Sequence, residues 1–197
     1  MGVLGKGSAY GACSLLHAAP LGYGASIALD LPITVRLLDR PSKREVNDPD
    51  GLLNAVLDVW IEGEHSLPES YEKEDLHWGV NSKIPIKQGL KSSAATSIGA
   101  LRALCDATET QLEPADLVAL SAQAQLKAGV SLTGSIDDAW ACSTQGWKLV
   151  DIQVPVAEGV LLTGEGPKSD EWTVLLVLRG EREQQPALED FAPHLRP

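Results

Sequence analysis

With 197 residues, 44% of them hydrophobic and 22% charged, the chain is long enough for one sizeable core and too apolar for wholesale disorder. Its net charge of −11 argues against a general nucleic-acid surface or an anionic-membrane surface, since either needs an excess of cations. Cys13, Cys105 and Cys142 are odd in number and far apart, and the four histidines are equally scattered, which fits a reducing cytosol better than a disulfide framework or a zinc site. No apolar run has the length of a membrane span, the start lacks a signal-peptide pattern, and Lys6 stands where myristoylation needs serine or threonine. A soluble, cytoplasmic protein is expected.

In chain order, Gly5 to Ala12 is glycine-rich and reads as a pocket lining, and Cys13 to Ala19 as a short helix broken by Pro20 and Gly22. Ser26 to Leu38 has the β-branched and leucine content of a strand, with Pro32 marking an edge or a bulge. A polar loop follows, and Asp48-Pro49-Asp50-Gly51 makes a turn in which Asp50 is placed to cap the next helix. In that helix Leu53, Val56, Leu57 and Trp60 recur at helical spacing, a core-facing stripe. The acidic stretch Glu62 to Asp75 reads as a surface loop, and Leu76, Trp78 and Val80 alternate as in a strand.

Beyond Ser93, the residues Ala94, Ile98, Leu101 and Cys105 share one helical face. Pro114 opens a second helix that turns Leu117, Leu120 and Ala124 inward, and both helices are expected on one face of a sheet. Trp147, Leu149, Val150 and Ile152 suggest a strand pair, Thr163 to Pro167 a linker, and Trp172 to Leu178 a further strand.

The chemistry concentrates in Pro85-Ile86-Lys87-Gln88-Gly89-Leu90-Lys91-Ser92-Ser93-Ala94-Ala95. Gly89 permits a turn closed to other residues, and Ser92 or Ser93 can cap the helix that begins there. A helix start presents unpaired N–H groups and the positive end of the macrodipole, which favour a phosphate. Lys91 adds a full charge, Lys83 and Lys87 lie nearby, and a serine hydroxyl can reach a phosphate or its Mg²⁺. The spacing is neither that of the common phosphate loop nor that of the dinucleotide fingerprint. A serine-capped helix after an ordinary loop is the plain alternative.

This stretch resembles the second motif of the GHMP kinase superfamily, the galactokinases, homoserine kinases and mevalonate kinases, in which proline, three residues and Gly-Leu-Gly-Ser-Ser-Ala-Ala wrap the triphosphate of ATP. Lysine in place of the middle glycine is similar to the archaeal-type shikimate kinases. Downstream, Thr133-Gly134-Ser135-Ile136-Asp137-Asp138-Ala139 would by itself suit an Asx turn. The same resemblance reads it as the segment of the catalytic aspartate, with Asp137 at that position and Asp138 beside it. Phosphoryl transfer needs a group that orients the acceptor hydroxyl or takes its proton, and two adjacent carboxylates repel, so that one holds its proton more tightly.

The resemblance implies an α+β, GHMP kinase-like amino-terminal domain over residues 1–160. Residues 161–197 would be a linker and the start of a carboxyl-terminal domain that is mostly missing. It implies ATP-dependent phosphorylation of the 3-hydroxyl of shikimate, in the biosynthesis of chorismate and aromatic amino acids. Asp137, Asp138 and Lys91 would be catalytic, residues 85–95 would bind the nucleotide, and Ser93 would hold Mg²⁺, with Gln123 where a metal-binding glutamate is expected. The expected partners are ATP and shikimate, with no nucleic acid and no membrane, and a homodimer would be one way to complete the cleft. Another small alcohol such as homoserine or mevalonate, and an inactive nucleotide-binding fragment, remain the alternatives.

Overall fold

The computed structural model describes residues 2–166 and 173–177. Two long strands, β1 (Val3–Leu16) and β2 (Tyr23–Leu38), form an antiparallel ribbon that runs the length of the sheet. Along its other edge β2 takes two partners in succession. Residues 23–27 pair with β4 (Trp147–Asp151), and residues 33–38 pair with β3 (His77–Ser82). Pro32 therefore sits where one partner has ended and the other has not begun, next to a register shift between Tyr10 and Ala12 of β1. Its missing N–H costs no ladder bond there. The fifth strand, β5 (Val160–Gly164), pairs antiparallel with β4.

Four helices complete the α+β architecture: α1 (Leu52–Glu62), α2 (Ser92–Thr108), α3 (Pro114–Lys127) and α4 (Ile136–Ser143). Helices α2 and α4 lie on β1 and β2, whereas α3 packs on α1, α2 and α4, so only one of the two helices expected on the sheet touches it broadly. The stripe Leu53, Val56, Leu57 and Trp60 is buried as its spacing requires. No helix among the described residues is long and apolar enough to cross a membrane.

Three local expectations are corrected. Residues 13–16 continue β1 instead of starting a helix, and the glycines before them serve packing. A Cβ on Gly5 would lie 2.1 Å from the Ala103 carbonyl oxygen, and one on Gly7 would lie 2.0 Å from that of Gly99, so bare backbone lets α2 settle directly onto the strand. Thr163 and Gly164 pair with Lys148 and Trp147 as part of the sheet, not as a linker. The strand expected at Trp172 to Leu178 has its ends outside the described residues, and 173–177 form no strand.

The cap of α1 also differs. Gly51 occupies the N-cap position with φ 68°, and the Asp48 carboxylate, not that of Asp50, accepts from the N–H groups of Leu52 and Leu53 at 2.9 and 3.0 Å. Asp48→Ala should cost about 1 kcal/mol, the usual worth of such a cap, while Asp50→Ala leaves chemical denaturation midpoints unchanged.

Candidate functional site

The loop between β3 and α2 is clamped at both ends and open in the middle. Ile84 and Leu90 are buried, the Lys83 N–H donates to the Pro32 carbonyl at 3.0 Å, and the Ala12 N–H of β1 donates to the Leu90 carbonyl at 3.2 Å. Between these anchors Ile86, Lys87 and Gly89 are exposed. Lys87, Gly89 and Lys91 have φ of 55°, 74° and 62°, with residues of negative φ between them. Alternating hands of this kind turn successive N–H groups toward one concave side, an arrangement suited to anions. Lysine in the left-handed region costs about 1–2 kcal/mol, and such strain persists where surrounding structure holds it.

Lys91, and not a serine, is the N-cap residue of α2, and no side chain caps that helix. Its first-turn N–H groups are thus left for a ligand. Ser92 and Ser93 lie in the first turn, and Ala94 and Ala95 are buried beneath it as support.

The acidic pair lies in the first turn of α4, where Asp137 and Asp138 point to different neighbours. Asp138 takes the Lys91 ammonium at 3.0 Å on one oxygen and the Ser26 hydroxyl of β2 at 2.7 Å on the other. Asp137 lies against Gly24, where an added Cβ would come within 2.5 Å of its carboxylate oxygen. Both side chains are largely buried. Burial, and then the negative charge of Asp138, push the Asp137 carboxyl up to about 7, against the opposing pull of Lys91. Burial likewise raises the Cys142 thiol, whose sulfur faces the Lys91 carbonyl.

Gln125 links the two halves from below. Its fully buried amide accepts from the Ser93 hydroxyl at 3.3 Å, and donates to the Gly134 carbonyl at 3.2 Å and to Ser121 at 3.3 Å. The β3–α2 loop and the acidic helix are therefore one constellation, although Ser93 and Asp137 stand 44 positions apart in the chain. Lys6 is exposed on β1 and does not join it. Two cavities of about 310 and 370 Å³ lie elsewhere, one beside the start of α1 and one behind α2, and contain none of these residues.

Residues 54–146 match the GHMP kinases N terminal domain. Solved structures share the fold: the Methanococcus jannaschii mevalonate kinase superposes with a TM-score of 0.59 at 17% identity, covering 76% of this chain and 53% of that one. Lactococcus lactis galactokinase, complexed with galactose, gives 0.58 at 15% identity, covering 77% and 45%. This is the GHMP kinase N-terminal fold. Among curated proteins, the chain is 34% identical to the shikimate kinase of Pyrococcus furiosus over 157 residues, 75% of this chain and 54% of that protein. It is 31% identical to that of Methanocella arvoryzae over 149 residues, 74% and 49%. The chain spans about half the length of the curated relatives it matches.

In this GHMP kinase fold the α3 amide beside Ser93 is that of Gln125, two residues past Gln123. Gln123 is exposed, because Leu117, Leu120 and Ala124 set the inner face of α3, and it is Gln125 that meets Ser93. No cluster of three or more histidine, cysteine or acidic side chains fit to hold a metal occurs among the described residues. The Ser93 hydroxyl and the Gln125 amide oxygen are neutral, hard donors, which fit a Mg²⁺ carried in on phosphates and not an all-protein metal cage. Neither Gln125, Ser26 nor Gly24 was singled out from sequence. A polar Gln on the inward stripe of α3 was the one available signal.

Proposed function

We propose that the chain provides the ATP-binding and acid–base part of a small-molecule kinase, and that its acceptor is shikimate. The observation that supports this reading is the 3.0 Å pair between Lys91 and Asp138, which joins the end of the strained loop to the buried carboxylate pair. The loop and the α2 N-terminus cradle the triphosphate. Ser93 would hold the Mg²⁺, which neutralises phosphate charge when bound. Asp137, with a proton affinity near working pH, accepts the proton of the acceptor hydroxyl as it attacks the γ-phosphate. Lys91 stands beside the loop with its charge turned to Asp138, in position to counter the charge that develops on the transferring phosphoryl group.

The names of the curated relatives favour shikimate over mevalonate, since likeness to mevalonate kinases at 17% identity carries the fold alone. A coupled ADP-release assay with Mg²⁺ tests this by offering shikimate, homoserine and mevalonate in turn, with release expected for shikimate. Release with another alcohol would reassign the acceptor. In parallel, Lys91→Ala and Ser93→Ala are expected to weaken ATP binding about 10-fold or more, the worth of one charge-assisted contact, with circular dichroism unchanged. Unchanged ATP affinity in both variants would remove the nucleotide loop from the site.

A further inference from the structure

We propose that Gly24 and Ser26 of β2 are positioning residues that divide the labour of the acidic pair: Ser26 and Lys91 pin Asp138 from two sides, and bare Gly24 seats Asp137 as the carboxylate left to meet the acceptor. The assignment of Asp137 as proton acceptor rests on the kinase reading, whereas the seating geometry stands by itself. Ser26 is completely buried in a strand that otherwise supplies apolar core, and its hydroxyl spends its one proton on Asp138 across 112 residues of sequence. With Lys91 on the other oxygen, Asp138 is committed on both sides.

Two residues back along β2 the chain needs the smallest residue. A Cβ on Gly24 would approach an oxygen of Asp137 to 2.5 Å, its carboxyl carbon to 2.6 Å and the Ala18 methyl to 2.8 Å. Real Cβ contacts of that length do not persist, so any side chain at Gly24 evicts the Asp137 carboxyl from its seat. The seated carboxyl accepts from backbone N–H groups of its own turn. The charged and titratable groups that face it are Asp138 and Cys142 of α4 and Lys91 of the loop. Lys148 of β4 is engaged with Thr144 and the Trp140 ring, and on β2 Gly24 lies against Asp137 while Ser26 meets Asp138. Spacing two residues apart on one strand puts both contacts on the same face. Gly24-x-Ser26 is therefore a floor built for two neighbouring carboxylates.

The experiment follows the Asp137 carboxyl directly, by carbon NMR of protein labelled at aspartate, with the resonance assigned by its loss in Asp137→Asn. Gly24→Ala is expected to move its titration midpoint down by a unit or more, as the evicted group gains water. An unchanged or higher midpoint overturns the seat. In the kinase assay Ser26→Ala should lower kcat about 10²-fold, the cost of misplacing a reacting group by about 1 Å, with ATP affinity and the circular dichroism spectrum preserved. Ser26→Thr, which keeps the hydroxyl, restores most of the rate. A full rate in Ser26→Ala, or no rescue by threonine, overturns the role of Ser26. Absence of turnover in the unaltered protein with every acceptor would defeat the kinase reading and leave the NMR result to decide the seat.

Discussion

Asp137→Asn is expected to slow turnover sharply and stabilise the protein in one step. As a positioned acid–base group the carboxylate contributes about 10²–10⁴ to the rate, and an amide cannot take the proton. The stability change follows from linkage. Folded, Asp137 titrates near 7, against 3.8 for an ordinary aspartate, so between those values the folded chain holds a proton that the unfolded chain has released. The contribution of this carboxyl to stability is therefore fully present below about pH 4, falls as pH rises through this window, and is lost above about 7. Asparagine has nearly the same shape and no charge to bury, so it escapes the loss. At pH 8 the variant should be more stable by roughly 2–4 kcal/mol, or about 5–10 °C in melting temperature, and below pH 4 the two proteins should melt together. Coincident melting curves at pH 8 would show that the carboxyl is not held in a desolvated seat. An unaffected rate would transfer the proton-accepting role to Asp138.

Gly7→Ala is expected to prevent folding. The new methyl would stand 2.0 Å from the Gly99 carbonyl oxygen and 2.5 Å from the Ala103 nitrogen, both of them helix backbone that has no rotamer to yield. Displacing α2 from β1 opens the main core and disturbs the loop that α2 supports, a loss above about 4 kcal/mol against the 5–15 kcal/mol typical of a whole domain. Gly89→Ala provides the contrast. Nothing lies within 4 Å of a Cβ there, and the residue has φ 74°, so the cost is about 1–2 kcal/mol of backbone strain, felt mainly as weaker nucleotide binding. Thermal melts followed by circular dichroism separate the two cases, and a cooperative melt for Gly7→Ala near that of the unaltered protein would show that β1 and α2 are not in direct backbone contact.

What could be read from the sequence alone is what local chemistry encodes. The stripes Leu53, Val56, Leu57, Trp60 and Leu117, Leu120, Ala124 mark the buried faces of α1 and α3 because a helix repeats every 3.6 residues whatever surrounds it. The stretch Pro85 to Ala95 announces a glycine turn into a helix start because both are properties of neighbouring residues, and Gly89 does adopt φ 74° ahead of α2. The pair Asp137-Asp138 was likewise legible as chemistry.

Tertiary structure decided the rest, since it concerns residues that meet only after folding. Glycine-rich residues 5–12 have low strand propensity, and they form β1 because α2 demands backbone without side chains, a requirement written some 90 residues away. Lys91 occupies the N-cap position of α2 that a serine was expected to fill, in a left-handed conformation and with its ammonium paired to Asp138. Gln125, and not Gln123, meets Ser93 because two residues on a helix face opposite ways, and packing of α3 on its neighbours selects which one points inward. The proton affinity of Asp137 and the choice of Ser26 as partner to Asp138 depend on burial between α4 and β2. Sequence determined which groups are present and how each short segment bends; the long-range packing of β2, α2 and α4 determined which carboxylate is pinned and which is poised, because desolvation and hydrogen bonding act through space and not along the chain.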